Sequence, residues 1–124
     1  MVKALYNFII AIIYIPYIFA IFFRKFLKKE HPLKFKEKFL FNNLKRPNGY
    51  LFWFHVASLG EFNSILPIID FYLKKNEKYK FLITTVTLSS YQQFEKKFGD
   101  NKRIFHQFMP YDFNFLVKKF LNNW

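Results

Sequence analysis

The 124-residue sequence has no cysteine, only three glycines and five prolines, and eight acidic residues against 20 basic ones. The absence of cysteine excludes a disulfide framework, a zinc site held by thiolates and a thiol nucleophile. Hydrophobic residues make up 52% of the chain and aromatic residues 24%, and this apolar content argues against intrinsic disorder. The length is that of about one domain and does not admit a complete two-domain enzyme of ordinary size.

The net charge of +12 is a weak indication of nucleic-acid binding. Lysine supplies 17 of the 20 basic residues, and Phe, Ile and Asn are abundant, a combination typical of an AT-rich genome. A reader of phosphates or bases more often uses arginine, whose planar fork binds two acceptors at once. We therefore expect no nucleic-acid partner, although a basic nucleic-acid binder stays open as a third hypothesis.

The first 27 residues predict a membrane-anchor helix. Ala4 to Phe23 contain no charged residue over twenty positions, roughly the length that a helix needs to cross a bilayer core. Pro16 removes one backbone hydrogen bond and favours a kink. A signal peptide is disfavoured by the long run without a small-residue cleavage site, and a buried core helix by the small size of the chain. The segment either spans the membrane or lies partly in one leaflet.

Residues 28–49 predict a basic linker. From Arg24 to Arg46 there are nine basic and two acidic residues, whereas only Lys3 and the amino terminus are positive before the apolar run. Because positive charge concentrates on the cytoplasmic side of membrane segments, this pattern predicts that the C-terminal part lies in the cytoplasm. The same side chains can bind membrane lipids with anionic headgroups, or form a solvated linker only. Residues 42–49 are typical of a loop.

Residues 50–124 show alternating strand and helix patterns. Short apolar runs predict strands at Tyr50–Val56, Lys80–Val86 and Arg103–Phe108. A helical spacing of apolar residues follows each strand, at 61–73, 91–98 and 113–121. Pro67 implies that the first of these helices either begins near Ser64 or is kinked. The order predicts a Rossmann-like α/β fold with a parallel sheet and right-handed crossovers.

The turn after the first strand is a candidate site, because ligands of parallel sheets bind beyond the carboxyl ends of the strands. Gly60 allows a tight turn or a close backbone approach to a ligand. Ser58 can meet an anionic or hydroxyl group, and Glu61 offers a carboxylate that can act as a general base. The spacing Ser-x-x-Glu is also that of a capping box, in which Ser58 and Glu61 bond each other's backbone amides. Spacing alone favours the cap. His55 by itself predicts a packed, hydrogen-bonded histidine.

Hydroxyl groups follow the second strand. Thr84, Thr85 and Thr87 can bind phosphate or sugar, but threonine is also common in strands, and Ser89 or Ser90 is expected to cap the next helix. After the third strand, Asp112 predicts another helix cap. No glycine pattern of a phosphate loop or dinucleotide site is present. The three histidines have no metal-ligand spacing, so we predict neither a metal nor a cofactor.

Three ordered motifs resemble the Kdo (3-deoxy-D-manno-octulosonic acid) transferases. The family pattern Trp-x-His-x-x-Ser-x-Gly-Glu is similar to the segment that carries the residues Trp53, His55, Ser58, Gly60 and Glu61. A Thr-Thr-x-Thr run follows at Thr84, Thr85 and Thr87, and a Pro-Tyr-Asp stretch follows at residues 110–112. The family continues the Thr run with Thr-Gly, whereas this chain has Ser89-Ser90. The resemblance covers the whole chain.

The resemblance implies the N-terminal, acceptor-binding half of a type B (GT-B) glycosyltransferase. Such enzymes transfer Kdo from CMP-Kdo to a lipid A precursor, lipid IVA, in lipopolysaccharide core synthesis. Glu61 matches the family's general base on the acceptor hydroxyl, and Ser58, Gly60, Thr84, Thr85 and Thr87 would line the acceptor side. No cofactor is implied.

The chain ends after the third β-α unit, before the half of the family's fold that binds CMP-Kdo. We therefore expect domains at 1–27 (anchor), 28–49 (linker) and 50–124 (partial acceptor domain), and no activity from this chain alone, because donor and acceptor must be positioned together. The alternative is a small non-catalytic, membrane-anchored interaction protein with a Rossmann-like core.

Overall fold

The computed structural model describes residues 2–41 and 44–124. Its elements, in chain order, are α1 (Val2–Phe26), a 3₁₀ helix (Lys34–Phe39), β1 (Tyr50–Val56), α2 (Leu59–Lys75), β2 (Tyr79–Thr85), α3 (Leu88–Phe98), β3 (Ile104–Phe108) and α4 (Asn114–Asn123). The three strands lie within one residue of their predicted bounds. The chain divides into two compact units, residues 1–35 and 36–124.

The first unit is dominated by α1, which runs without interruption through Pro16. By length and composition, α1 is able to cross a membrane: its apolar window has a mean hydropathy of 2.1. In the last turn of α1, Arg24 Nε donates to Glu30 Oε1 at 3.1 Å, and Lys25 Nζ lies 4.3 Å from the ring centroid of Phe35. These contacts hold residues 30–35 against the last turns of α1.

The second unit begins inside the predicted basic linker. Glu37 Oε2 accepts the backbone N–H of Phe108 at 2.9 Å, and the N–H of Tyr111 donates to the Lys38 carbonyl at 3.1 Å. Residues 36–41 are therefore packed at the carboxyl end of β3. In the predicted loop at 42–49, residues 44–49 are irregular, whereas Asn42 and Asn43 lie outside the described residues.

The second unit is built on a parallel sheet of order β1-β2-β3. The predicted α/β class and parallel alternation are thus confirmed. The register pairs Val56 with Thr85 and Thr85 with Phe108, so all three strands end at the same level. Gly49, just before β1, has φ +110, and a Cβ there would lie 2.9 Å from the Lys78 carbonyl oxygen. This turn therefore requires glycine.

The two faces of the sheet carry different cores. Side chains alternate between faces along a strand, and one face packs against α2 and α3 through residues that include Phe62, Phe81, Phe94 and Ile104. The opposite face packs against α4, where the Trp53 and Phe120 rings lie 5.2 Å apart. The central strand β2 is covered on both faces, and five of its seven residues are buried.

Helix α2 begins five residues before the position that Pro67 suggested. Ser58 is the N-cap, and its side chain accepts from the backbone N–H of Glu61, so the cap sets the start of the helix. Of the two alternatives that Pro67 left open, the start near Ser64 is wrong. Pro67 has no N–H to donate to the carbonyl four residues earlier in the helix. Because Pro67 is exposed, that carbonyl can bond to water instead.

Two other caps differ from the sequence prediction. Thr87, rather than Ser89 or Ser90, caps α3, and its side chain accepts from the Ser90 N–H. Helix α4 begins after Phe113 with no side-chain cap, so the predicted cap at Asp112 is wrong. Phe113 and Leu116 are buried, and we attribute the start of this helix to that burial, because packing contributes more than a cap does.

Candidate functional site

The carboxyl ends of the three strands form one edge of the sheet. The β1–α2 turn, the β2–α3 turn and the segment after β3 all leave at this edge, because the strands are parallel and end in register. The Met109 N–H donates to the Thr85 carbonyl at 2.9 Å and joins two of these segments. This is the edge where parallel α/β sheets bind ligands, so the predicted site residues belong to one neighbourhood of the fold.

The β1–α2 turn is a modified capping box. Ser58 Oγ accepts the Glu61 N–H at 3.2 Å, as the spacing predicts. The carboxylate of Glu61 reaches one residue further back, since Oε2 accepts the N–H of Ala57 at 2.7 Å. The reciprocal half of the predicted box, from the Ser58 N–H to Glu61, is replaced by this contact with Ala57.

Glu61 is exposed at the start of α2. Its Oε1 has no hydrogen-bond partner among the residues that the structure describes, whereas Oε2 holds the turn. One carboxylate can therefore cap the helix through one oxygen and present the other oxygen to a ligand. The predicted cap and the predicted catalytic role are geometrically compatible.

Gly60 is not required by the local packing. A Cβ at this position would approach nothing closer than Ser58 Oγ, at 3.9 Å, and its φ lies outside the positive range. An alanine would fit in the chain as it stands. Local packing therefore does not require glycine here, and the close approach to a ligand stays a prediction.

The Thr run divides between buried and exposed hydroxyls. Thr84 and Thr85 are fully buried, and Thr85 Oγ1 lies 2.9 Å from His106 Nε2. Thr87 is exposed at the start of α3 and its Oγ1 lies 2.8 Å from Ser90 Oγ. Thr87 is thus able to touch a ligand directly, whereas Thr84 and Thr85 are placed to act through the side chains that they hold.

Thr84 organises the β1 side of the edge. Its Oγ1 accepts from Trp53 Nε1 at 2.9 Å and lies 3.0 Å from His55 Nδ1. His55 is exposed, so Thr84 fixes one ring nitrogen and leaves Nε2 directed away from this contact. The predicted hydrogen bond of His55 is present, but the residue is not buried.

Replacing Thr84 with valine is expected to loosen this cluster. Valine keeps the size of the side chain but removes the hydroxyl that Trp53 and His55 share. The expected loss of unfolding free energy is about 1 kcal/mol, because both partners are near solvent and can rebond to water. Exchange of the Trp53 indole N–H with solvent should become faster. Thr84→Ser keeps the hydroxyl and should keep the slow exchange; fast exchange in both variants would contradict the assigned bond.

Sequence reasoning missed Glu37 and Lys38, which are 7% and 5% exposed. Glu37 binds the last residue of β3, and Lys38 Nζ lies 5.3 Å from the Phe108 ring centroid. The available signal was the helical spacing of the apolar residues Phe35, Phe39 and Leu40. Such spacing indicates a packed segment, because a fully solvated linker does not require it. The high local charge obscured that signal.

Tyr91 lies on α3 beside His106, with ring centroids 4.7 Å apart. Burial raises the pKa of Tyr91 to about 12, helped by its hydrogen bond to Glu95 and by the nearby carboxylates of Glu95 and Glu37. Its contribution to stability is therefore complete below about pH 10 and is lost as the pH rises toward about 12. Ultraviolet titration should show a late tyrosinate step that Tyr91→Phe removes; an unchanged titration curve in that variant would contradict this assignment.

No group of three His, Asp or Glu side chains in residues 2–41 and 44–124 is arranged to hold a metal ion. The arrangement that is present consists of an exposed carboxylate, an exposed hydroxyl and a held histidine at one edge of a parallel sheet. It defines an α/β domain with polar side chains at the edge where parallel sheets bind ligands.

The chain belongs to the Kdo transferase family: the family profile described as 3-deoxy-D-manno-octulosonic-acid transferase (kdotransferase) matches residues 33–124. The 3-deoxy-D-manno-octulosonic acid transferase of Rickettsia bellii is 34% identical over 120 residues, which cover 97% of this chain and 28% of the relative. A probable mitochondrial transferase of Arabidopsis thaliana is 32% identical over 95 residues, covering 77% of this chain and 21% of that protein.

The Rickettsia felis transferase is 38% identical over 74 residues, covering 60% of this chain and 16% of the relative. The chain thus spans less than a third of the length of each of these relatives. No solved structure gives a significant match. Family membership supports a glycosyltransferase role.

Proposed function

We propose that this chain supplies the acceptor side of a membrane-associated Kdo transferase, which moves Kdo from CMP-Kdo to a lipid A precursor of the lipid IVA type. The chain is a member of the family, and the observation that carries the proposal is the position of Glu61. This residue lies at the edge of the sheet where ligands bind, and one of its carboxylate oxygens is available. The proposed fold of the complete enzyme is GT-B, with this unit as its N-terminal Rossmann-like half. The donor site is proposed to lie in polypeptide outside the matched region.

In the proposed reaction, Glu61 acts as the general base. Its Oε1 accepts the proton of the acceptor hydroxyl while the hydroxyl oxygen attacks the anomeric carbon of Kdo. The bond from that carbon to the phosphate oxygen breaks, and CMP leaves with the electron pair. An alcohol needs such a base because it is a weak nucleophile while protonated. The Ala57 N–H, which binds Oε2, holds the carboxylate in place.

The remaining predicted residues have graded roles in this proposal. Ser58, Gly60 and Thr87 are exposed at the edge and would contact the acceptor. Thr84 and Thr85 would act indirectly, by fixing the two histidines that they contact. No cofactor, metal or nucleic-acid partner enters the proposed reaction.

The acceptor's lipid character agrees with a membrane location. Helix α1, at 25 residues, is about 37 Å long, and a bilayer core is about 30 Å thick. We propose that residues 1–27 anchor the chain in the inner membrane and that the exposed basic side chains of residues 28–49, which exclude the buried Lys38, lie against anionic lipid. The α/β unit, residues 50–124 with the packed segment 36–41, then lies on the cytoplasmic side.

A chimera tests the proposal, with residues 33–124 replacing the matching region of the Rickettsia bellii transferase. With CMP-Kdo and lipid IVA in detergent, we expect Kdo-modified acceptor in the mass spectrum, and none from the same enzyme with that region deleted. A chimera that folds but forms no product would overturn the enzyme proposal. That outcome would favour the alternative, a non-catalytic membrane-anchored interaction protein.

A further inference from the structure

The last residue of β3 is bonded to a carboxylate from a distant part of the chain. The Met109 N–H donates to Thr85 of β2, and the N–H groups of successive strand residues point in opposite directions, so the Phe108 N–H points away from β2. Glu37 Oε2 accepts this N–H at 2.9 Å. Because Glu37 and Phe108 are both buried, loss of the carboxylate would leave a buried donor without its acceptor, which is unfavourable.

The neighbours of Glu37 hold the segment that follows β3, residues 109–112. The Lys38 carbonyl accepts the Tyr111 N–H at 3.1 Å, and Lys38 Nζ lies 5.8 Å from the centroid of the Tyr111 ring. The rings of Phe39 and Tyr111 meet edge to face with their centroids 5.2 Å apart. The same short stretch of chain therefore restrains this segment in its middle as well as at the end of β3.

The restrained segment presents one exposed carboxylate at the ligand edge of the sheet. Pro110 is buried and Met109 and Tyr111 are half-buried, whereas Asp112 is exposed. Helix α4 has no side-chain cap, and the Asp112 carboxylate has no hydrogen-bond partner within the described part of the chain. The fold thus holds, at the edge where parallel sheets bind ligands, a carboxylate that it does not itself use.

Asp112 and Glu61 lie on different sides of this edge. They follow β3 and β1, which are separated by β2, and adjacent strands are about 4.8 Å apart, so the ends of the two strands are about 10 Å apart. A ligand that meets both carboxylates must therefore be longer than one sugar ring. The disaccharide headgroup of a lipid A precursor satisfies this condition, and its hydroxyl and amide N–H groups are donors that a carboxylate can accept.

We propose that Asp112 is a second acceptor-binding residue and that Glu37 is the positioning residue that holds it in place. Asp112 accepts a hydrogen bond from a hydroxyl or amide N–H group of the acceptor. Glu37 does not touch the acceptor and acts only through the segment between Phe108 and Asp112. The inference rests on the proposed function for the identity of the acceptor, and it concerns two residues that take no part in the proposed proton transfer to Glu61.

Binding of lipid IVA to the full chain in detergent micelles, without CMP-Kdo, tests the proposal. We expect Asp112→Ala to weaken binding about tenfold, the effect of one hydrogen bond, and Glu37→Ala to weaken it by a similar factor. The double variant should bind no more weakly than Asp112→Ala alone, because positioning has no effect once the contact is lost. Glu37→Gln keeps an oxygen for the Phe108 N–H and should bind like the unsubstituted chain.

Two controls and a second measurement separate this role from a general effect on the fold. Glu77→Ala removes an exposed carboxylate just before β2, at the other end of the sheet, and should leave the affinity unchanged. Phosphatidylglycerol, an anionic lipid without a sugar, should bind all variants equally. Hydrogen exchange at the Phe108 and Tyr111 amides should become faster in Glu37→Ala and stay slow in Glu37→Gln, with residues 81–83 unchanged in both.

Unchanged affinity for lipid IVA in Asp112→Ala would overturn the proposal. So would additive losses in the double variant, equal losses for phosphatidylglycerol, or no binding of lipid IVA by the unsubstituted chain. If Glu37→Ala does not fold, Glu37→Asp replaces it, because the shorter side chain keeps the charge but withdraws from the Phe108 N–H. None of these measurements involves Kdo transfer, so a failure of the proposed reaction is seen separately, in the chimera.

Discussion

Replacing Glu61 with glutamine in the chimeric transferase is expected to lower Kdo transfer by about 10²–10⁴-fold, the usual contribution of a general base. Glutamine has almost the same shape as glutamate, and its side-chain oxygen can still accept the N–H of Ala57. The cap at the start of α2 is therefore retained, together with Ser58 Oγ on the Glu61 N–H. Only the capacity to take a proton is lost.

Two further variants separate catalysis from capping. Glu61→Ala removes both functions and should add a loss of stability of about 0.5–1.5 kcal/mol, the net value of one hydrogen bond. Asp70→Asn changes charge in the same way on the same helix, away from the sheet edge, and should leave the rate unchanged. The measurement is initial rate at saturating CMP-Kdo. A Glu61→Gln chimera as active as its parent would show that another group takes the proton.

The second large effect is expected from Phe81, at the centre of the sheet. Phe81 is fully buried on β2, and its ring stacks on Phe52 and Phe54 at centroid distances of 5.5 and 6.5 Å. Truncation to alanine removes these contacts and leaves a cavity that a parallel sheet covered on both faces cannot close. The expected cost is about 3–5 kcal/mol. Domains of this size have only about 5–15 kcal/mol in total.

Urea unfolding of the full chain, followed by the fluorescence of Trp53 and Trp124, measures this loss. With a slope of about 2 kcal/mol per molar urea, the midpoint should fall by roughly 1.5–2.5 M. Phe71→Ala is the matched control, because Phe71 is 61% exposed and its truncation should change the free energy of unfolding by no more than about 0.5 kcal/mol. Similar midpoints for the two variants would mean that Phe81 is not in a packed core.

The strands of the sheet were predictable because their burial leaves a local pattern. Tyr79–Thr85 is buried over five of seven positions, which demands a continuous apolar run and identifies the strand without knowledge of its neighbours. The same locality made the Ser58 cap visible. The start of α4 could not be predicted from local sequence in this way. Asp112 has the chemistry of a cap, yet the helix begins after the buried residue Phe113.

At the candidate site, the sequence predicted which residues gather at one edge but not what each of them touches. Thr84, Thr85 and Thr87 follow one another closely in the chain, and only the register of β2 between its neighbours shows that two of them are buried. The partner of the Glu61 carboxylate differs by one residue from the capping-box expectation, because the turn geometry brings Ala57 nearer. Glu37 was hidden since its partner, Phe108, is 71 residues away.

Hydrogen bonds between residues that are far apart in the sequence also limit the order in which the protein can fold during its synthesis. Glu37 to Phe108, Lys119 to Leu40 and Asn123 to Leu44 join positions 71 to 79 residues apart. At about 5–20 residues per second, the ribosome needs roughly 4–16 s to make the later partners after the earlier ones. The Glu37 carboxylate and the carbonyls of Leu40 and Leu44 must therefore wait for these partners until β3 and α4 have emerged, and the apolar segment 2–26 is exposed first. A chaperone or the membrane has that interval in which to capture the nascent chain before the sheet closes.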